Sequence, residues 1–227
     1  MGMLQFLGHS AFYLEGKGIK ALIDPFLTGN PMASEGPEAR PVLDYIFVSH
    51  AHGDHLGDTI AIAKRTSATV ICTNELSKYL ANEGLKTEGM HIGGRAAFPF
   101  GKVKLTPAFH GSSIFEDGKM VYSDFPCGFL IEVDGKKVYH PGDTGLTVEM
   151  TLLEAEGVEV ALLPIGGYYV MDIDDAVRAV GFIKPKKGVP IHYDTFPPIK
   201  ADPHDFAKKV GGQAEVMVMK PGEKLEF

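Results

Sequence analysis

The stretch Val48-Ser49-His50-Ala51-His52-Gly53-Asp54-His55 places three histidines and one carboxylate within six positions. Imidazole nitrogens and carboxylate oxygens are ligands for divalent transition metals, and this mixture suits Zn, Mn, Fe and Ni alike. Two residues apart on extended backbone, His50 and His52 can point the same way. Gly53 eases a turn that brings Asp54 and His55 behind them. One loop thus offers two ligand pairs to two neighbouring cations. A purely structural cluster of this density is a poor alternative. Its members would repel one another when protonated, and would need many hydrogen-bond partners when buried.

The elements that must position this loop are legible on either side of it. The apolar run Tyr45-Ile46-Phe47-Val48 reads as a buried strand and a helix-like stretch follows, so the loop falls at a strand's carboxyl end, where open α/β sheets place their sites. Other ligand-type residues stand at strand ends too. His110 follows an apolar strand that runs to Phe109, Asp143 follows the strand ending at Tyr139-His140, and His192 follows Val189-Pro190-Ile191. A division follows: His50, His52 and His110 for one metal, Asp54, His55 and His192 for the second, and Asp143 between them. Seven ligands for two metals leave room for a bridging water or hydroxide. Two cations lower the pKa of such a water and neutralise charge on the attacked group, which is hydrolase chemistry.

The rest of the chain fits one soluble domain spanning residues 1–227. Of 227 residues, 44% are hydrophobic and 22% charged, and 27 glycines and 15 prolines suggest many tight turns and a β-rich layout. A net charge of −7 argues against a nucleic-acid partner. Cys72 and Cys127 form neither a disulfide framework nor a CxxC signature, and read as reduced core residues. Neither a signal peptide nor a membrane-spanning run is visible, so a cytoplasmic enzyme is expected. Short strands dominate residues 3–24. Helical spacing marks 57–65, 74–83, 147–155, 173–183 and 203–210. Asp134-Gly135 closes a hairpin, and residues 25–41 and 111–126 read as two long loops. A β-rich beginning and β-α alternation at the end suggest two sheets inside and helices outside, an α/β architecture.

The set His50, His52, Asp54, His55, His110, Asp143 and His192 resembles the metallo-β-lactamase superfamily, over the whole chain. Within it the sequence is similar to the branch of L-ascorbate-6-phosphate lactonase and related metal-dependent hydrolases. The similarity is carried by Leu7-Gly8-His9-Ser10, Leu22-Ile23-Asp24-Pro25, His110-Gly111-Ser112-Ser113, Gly142-Asp143-Thr144-Gly145, Pro164-Ile165-Gly166-Gly167 and Pro190-Ile191-His192-Tyr193-Asp194-Thr195-Phe196. The resemblance implies a four-layer αββα sandwich with two divalent metals at one edge of the sheets, Zn first among the candidates. It also implies the ligand roles above, which spacing alone leaves open. Asp54 or Asp143 then serves as proton acceptor, and His9 as a proton donor or substrate contact, against the alternative of a structural histidine. Asp24 either orients a ligand histidine or simply ends its turn. Tyr168 and Tyr169 either line the pocket or pack. His140 does not match the motif, His91 and His204 read as surface residues, and Asp172, Asp174 and Asp175 serve a helix N-terminus.

The function these residues imply is dinuclear hydrolysis of an ester, lactone or phosphodiester in a small anionic substrate. A nuclease of the same superfamily would want a basic arm that is not visible. A di-iron redox enzyme on this fold would carry Glu at position 52 and a flavin domain. A retired scaffold would have lost ligands. The lactonase-like resemblance also allows a homo-oligomer.

Overall fold

The computed structural model describes residues 1–116 and 118–227. The chain opens as an antiparallel meander of β1 (Met3–Gly8), β2 (Ala11–Gly16) and β3 (Ile19–Ile23), with Phe12 opposite Phe6 on one side and Ile23 on the other. It then crosses to β4 (Tyr45–Phe47), which lies parallel to β3. α1 (Gly53–Leu56), α2 (Thr59–Thr66), β5 (Thr69–Thr73), α3 (Asn74–Asn82) and β6 (Thr87–Met90) complete this half. The second sheet starts with β7 (Arg95–Phe98) and β8 (Gly101–Pro107). A separate two-stranded hairpin, β9 (Ser113–Glu116) and β10 (Lys119–Tyr122), interrupts it. β11 (Cys127–Val133), β12 (Lys136–His140), β13 (Val160–Pro164), α4 (Ile173–Ile183), β14 (Lys187–Ile191), α5 (Pro203–Val210) and β15 (Glu215–Val216) follow. The last strand, β16 (Lys224–Glu226), returns to pair with β1.

Two seven-stranded sheets result, ordered β16-β1-β2-β3-β4-β5-β6 and β15-β14-β13-β12-β11-β8-β7. In each, an antiparallel half gives way to a parallel half. Three apolar clusters separate four layers. Between the sheets lie Phe6, Phe12, Ile23 and Phe47 against Leu105, Phe129, Leu162 and Val189. Outside the first sheet, Leu22, Ile46 and Val70 meet Ile62 of α2 and Leu76 and Leu80 of α3. Outside the second, Tyr139, Ala161 and Leu163 meet Val180 and Ile183 of α4 and Phe206 of α5. Successive residues of a strand face opposite ways, so Leu22 and Ile23, or Leu162 and Leu163, feed different clusters. Strands covered on both faces need apolar residues at every position, and β13 is buried throughout. The αββα sandwich is the architecture the sequence led us to expect.

Three local features differ from the sequence reading. Residues 111–126 are not all loop. They carry the β9–β10 hairpin, whose Phe115, Met120, Val121 and Tyr122 are exposed, so no buried-polar alternation marks it; position 117 lies outside the described residues. The helix read at 147–155 is a 3-10 segment, Val148–Glu156. The helix read at 57–65 is present but starts at Thr59, because Gly57 turns with φ 44° where a Cβ would stand 2.4 Å from the Pro25 carbonyl oxygen. That close approach docks the 25–41 segment onto the metal-motif loop, where Asp58 accepts the Leu27 and Thr28 N–H groups at 3.0 and 2.8 Å.

Candidate metal centre

Every predicted ligand lies at the same edge of the sandwich, beyond the carboxyl ends of β4, β8, β12 and β14. The two halves of that edge are tied by backbone: the His192 N–H donates to the His9 carbonyl at 2.9 Å, and the Cys127 N–H to the Ser49 carbonyl at 3.0 Å. The His110 and Asp143 loops are tied in turn, with the Phe109 N–H on Thr144 Oγ1 at 2.9 Å and the Gly145 N–H on the Phe109 carbonyl at 3.1 Å. Gly142 adopts φ 62°, and a Cβ there would stand 2.7 Å from Ser49 Cβ and 2.8 Å from the Cys127 carbonyl oxygen. Only glycine lets the Asp143 loop press this close to the histidine loop.

The side chains form overlapping clusters in which each residue offers one ligand atom within 4.8 Å of the others: His50, His52 and His110; His50, His55 and Asp143; and His9, Asp54, His55 and His192. The first matches the expected ligands of one metal. Asp143 adjoins both pockets, with Oδ1 3.0 Å from His55 Nε2 and Oδ2 3.0 Å from His192 Nε2 and 3.6 Å from His110 Nε2. His9 joins Asp54, His55 and His192, which the metal division read from sequence had not included.

The hydrogen bonds behind these rings set their tautomers. Asp24 is fully buried; it accepts the Ser49 N–H at 2.8 Å, the Ser49 hydroxyl at 2.6 Å and His55 Nδ1–H at 2.7 Å. His55 Nε2 is therefore turned toward the centre, 3.0 Å from Asp143 Oδ1. With its proton on Asp24, the Ser49 oxygen accepts His50 Nδ1–H at 3.0 Å, which bares His50 Nε2, 3.0 Å from His52 Nδ1. His9 Nδ1 lies 2.8 Å from Thr195 Oγ1, whose own proton reaches the Tyr193 carbonyl at 3.3 Å, so His9 Nε2 is bare as well and faces Asp54 Oδ2 at 3.3 Å. Partners of this kind fix ring orientation in metal sites.

Burial pushes His50 well below the ordinary imidazole range, pushes His52 and His110 below it, and holds His9 at about 4. These rings are neutral at pH 7, with lone pairs available. Burial would lower His55 too, but the Asp143 and Asp24 carboxylates outweigh it and hold His55 well above the usual range. Asp143 is the mirror image: burial would raise it, and His192 and His55 hold it well below the carboxylate range. This donor set leaves His9 Nε2, His55 Nε2, Asp143 Oδ1 and both nitrogens of His192 buried without hydrogen-bond partners. Buried polar atoms are rarely left so. Nitrogen and carboxylate lone pairs converging on one space fit a divalent cation.

Residues 20–193 match the beta-lactamase superfamily domain. This chain belongs to the metallo-β-lactamase superfamily. Within the superfamily, the UPF0173 metal-dependent hydrolase of Carboxydothermus hydrogenoformans is 52% identical over 226 residues, 98% of each chain. That of Archaeoglobus fulgidus is 47% identical over 229 residues, covering 99% of this chain and 98% of the relative. Igni18, a metallo hydrolase from Ignicoccus hospitalis whose structure is solved, aligns with a TM-score of 0.90 at 41% identity, over 100% of this chain and 99% of that one.

Neighbours of the metal centre sort themselves by contact. Asp24 orients His55, as one of its two sequence readings held. His140 is buried but spoken for: Nε2 donates to the Ser10 carbonyl at 2.9 Å and Nδ1 accepts the Gly142 N–H at 3.1 Å, so it braces the Asp143 loop. His91 and His204 are exposed. Asp172 caps α4 by accepting the Asp175 N–H at 2.9 Å. A cleft of ≈ 350 Å³ opens over the centre, walled by His52, Asp54, His110, Tyr169, Phe196 and Pro198 among others. Tyr169 lines it, while Tyr168 is 80% exposed and does not. Sequence reasoning missed Ser49 and Thr195 as ring-orienting groups, although both sit inside motif stretches beside ligand residues. It also missed Phe196 and Pro198 as cleft walls.

Proposed function

We propose that this metal-dependent hydrolase holds two divalent cations, Zn first among the candidates, and cleaves an ester, lactone or phosphodiester in a small anionic molecule. His50, His52 and His110 would hold one cation, Asp54, His55 and His192 the other, and Asp143 would reach both. The observation that carries this reading is the set of buried ring nitrogens and carboxylate oxygens facing one another without hydrogen-bond partners. When bound, such cations supply an activated water and polarise the scissile group.

The chain's own residues do the rest. Asp24 and Ser49 keep His55 and His50 in the ligating tautomer. Burial holds the His9 pKa at about 4, so its ring stays neutral at pH 7, with Nε2 3.3 Å from Asp54 Oδ2 as an uncharged contact beside the centre and Nδ1 anchored on Thr195 Oγ1. The cleft is of a size for a small molecule, walled by apolar Phe196 and Pro198 on one side and the polar centre on the other. Two divalent cations would outweigh the carboxylates of Asp24, Asp54 and Asp143, so the loaded site attracts anions. Similarity to the ascorbate-6-phosphate lactonase branch supports a lactone or phosphate-bearing substrate. The two buried free cysteines fit a reducing, cytoplasmic setting, and among the described residues no helix is long and apolar enough to cross a membrane.

The test is turnover of a model lactone and a model phosphodiester by protein purified without chelator, with metal content measured on the same sample. Turnover of one of them with about two metals per chain is expected. Metal-free protein that turns over either substrate equally well would overturn the reading.

A further inference from the structure

The sides of the metal cleft differ in kind from its floor. The floor is the metal centre, and the sides are Tyr169, Phe196 and Pro198. Among the described residues that line the cleft there is no lysine and no arginine. A phosphate or carboxylate remote from the scissile bond would therefore give up water there without meeting a cation, which is costly. The charge this site can neutralise is the one at the metals.

Both aromatic side chains are held where they stand. Phe196 is half-buried, with its ring centroid 6.3 Å from that of Phe26 at 31° and 5.5 Å from that of His9 at 65°. Tyr169 comes from the turn that follows β13. That turn is closed by the Gly167 N–H on the Met171 carbonyl at 3.0 Å, and tied to the Asp143 loop by the Met171 N–H on the Thr144 carbonyl at 3.0 Å. Inside it Tyr168 takes φ 57°, a conformation rare for a bulky side chain. The two tyrosines then part: Tyr168 stays outside the cleft and Tyr169 lines it, their rings meeting edge to face at 4.7 Å and 79°. Tyr169 keeps 51% of its surface open. Rings fixed by their neighbours lose little freedom on binding, and they favour a further ring packed against them.

We infer that Tyr169 and Phe196 select the substrate by a ring. The inference rests on the hydrolase reading above and narrows it. The molecule cleaved carries a flat, uncharged aromatic group next to the scissile ester, lactone or phosphodiester, and any anionic charge it has is at the scissile group itself. The metal centre holds that group, and Tyr169, Phe196 and Pro198 cover the flat one. A sugar phosphate charged at a distance from the scissile bond is disfavoured by the same walls.

The test is calorimetric titration of the full-length, Zn-loaded protein with three probes that share one metal-binding head: methylphosphonate, phenylphosphonate and (4-carboxyphenyl)phosphonate. Phenylphosphonate should bind about tenfold more tightly than methylphosphonate, and the carboxylated ring about tenfold more weakly than the plain one. Tyr169→Ala and Phe196→Ala should each narrow the phenyl-to-methyl ratio by about threefold, and Tyr169→Phe, which keeps the ring, should preserve it. Tyr169 is half exposed, so its variants keep the test decisive if Phe196→Ala fails to fold. Equal affinity for the methyl and phenyl probes, undiminished affinity for the carboxylated ring, or a full ratio in Tyr169→Ala and in any folded Phe196→Ala would each overturn the assignment and leave the hydrolase reading standing. Failure of all three probes to bind would overturn the hydrolase reading along with it.

Discussion

The strand β12 ends at one extreme in the metal centre and begins at the other in a cluster around Glu156, and the two clusters treat a carboxylate in opposite ways. Glu156 is met by the Arg95 guanidinium, by Lys104 Nζ at 3.2 Å and by Lys137 Nζ at 2.9 Å, and its backbone carbonyl also accepts from Lys137. Burial would raise its pKa, but Lys137, Lys104 and Arg95 together hold it at about 2. Every charge there faces a donor. Asp143 is also held low, yet its neighbours are rings whose nitrogens lie 3.0 Å away without hydrogen-bond geometry. The backbone repeats the contrast. Ser67 and Lys184 take left-handed φ to end helices and Asp134 to close a hairpin, whereas buried His9, Asp24 and His192 take it at the centre. Such conformations cost on the order of 1–3 kcal/mol each, and persist at sites whose surroundings over-determine them. A satisfied ion cluster is architecture; a strained, unsatisfied one is built around something it binds.

If this contrast is right, substitutions at the two ends of β12 should differ in kind. Asp143→Asn should have the largest effect, stripping metal to well below one per chain and lowering turnover by about a hundredfold or more, measured by elemental mass spectrometry and steady-state assay. Gly142→Ala should follow. Forcing a Cβ against Ser49 at φ 62° should cost about 2–4 kcal/mol in denaturant unfolding, with metal affinity falling in step. Asp24→Asn keeps shape and an acceptor but loses the charge that orients His55. Metal affinity should fall about 10- to 100-fold by competition with a chelating dye, while the fold survives. Glu156→Gln should leave metal content unchanged and cost only folding stability, about 1–3 kcal/mol at pH 7. Its sign is fixed by the pKa. A carboxyl at about 2 when folded, against 4.5 when unfolded, contributes fully above pH 4.5 and progressively less toward pH 2. Unfolding curves of variant and wild type should therefore converge on acidification. A large loss of metal in Glu156→Gln would break the contrast.

Much of the centre was legible in the sequence because its ligands follow strands whose apolar runs announce themselves, as Tyr45–Phe47 precede His50 and Val189–Ile191 precede His192. The sandwich was legible for the same reason: a β-rich start and alternating helices and strands leave few ways to bury both faces. What was hidden depends on distant contacts. The orientation of His50 and His55 rests on Ser49 and Asp24, and that of His9 on Thr195, 186 residues away. The β9–β10 hairpin was read as loop because its apolar side chains face outward and belong to neither main sheet. The 3-10 segment at Val148–Glu156 carries helix-like apolar spacing, with Met150 and Leu153 packed in the outer cluster against α4.

The most direct test of the central claim is a metal count per chain on wild type, His110→Ala and His192→Ala, purified without chelator. About two metals in wild type and about one in each variant would place one cation in each pocket. Equal counts in all three, or no metal in wild type after loading with Zn or Mn, would contradict the account.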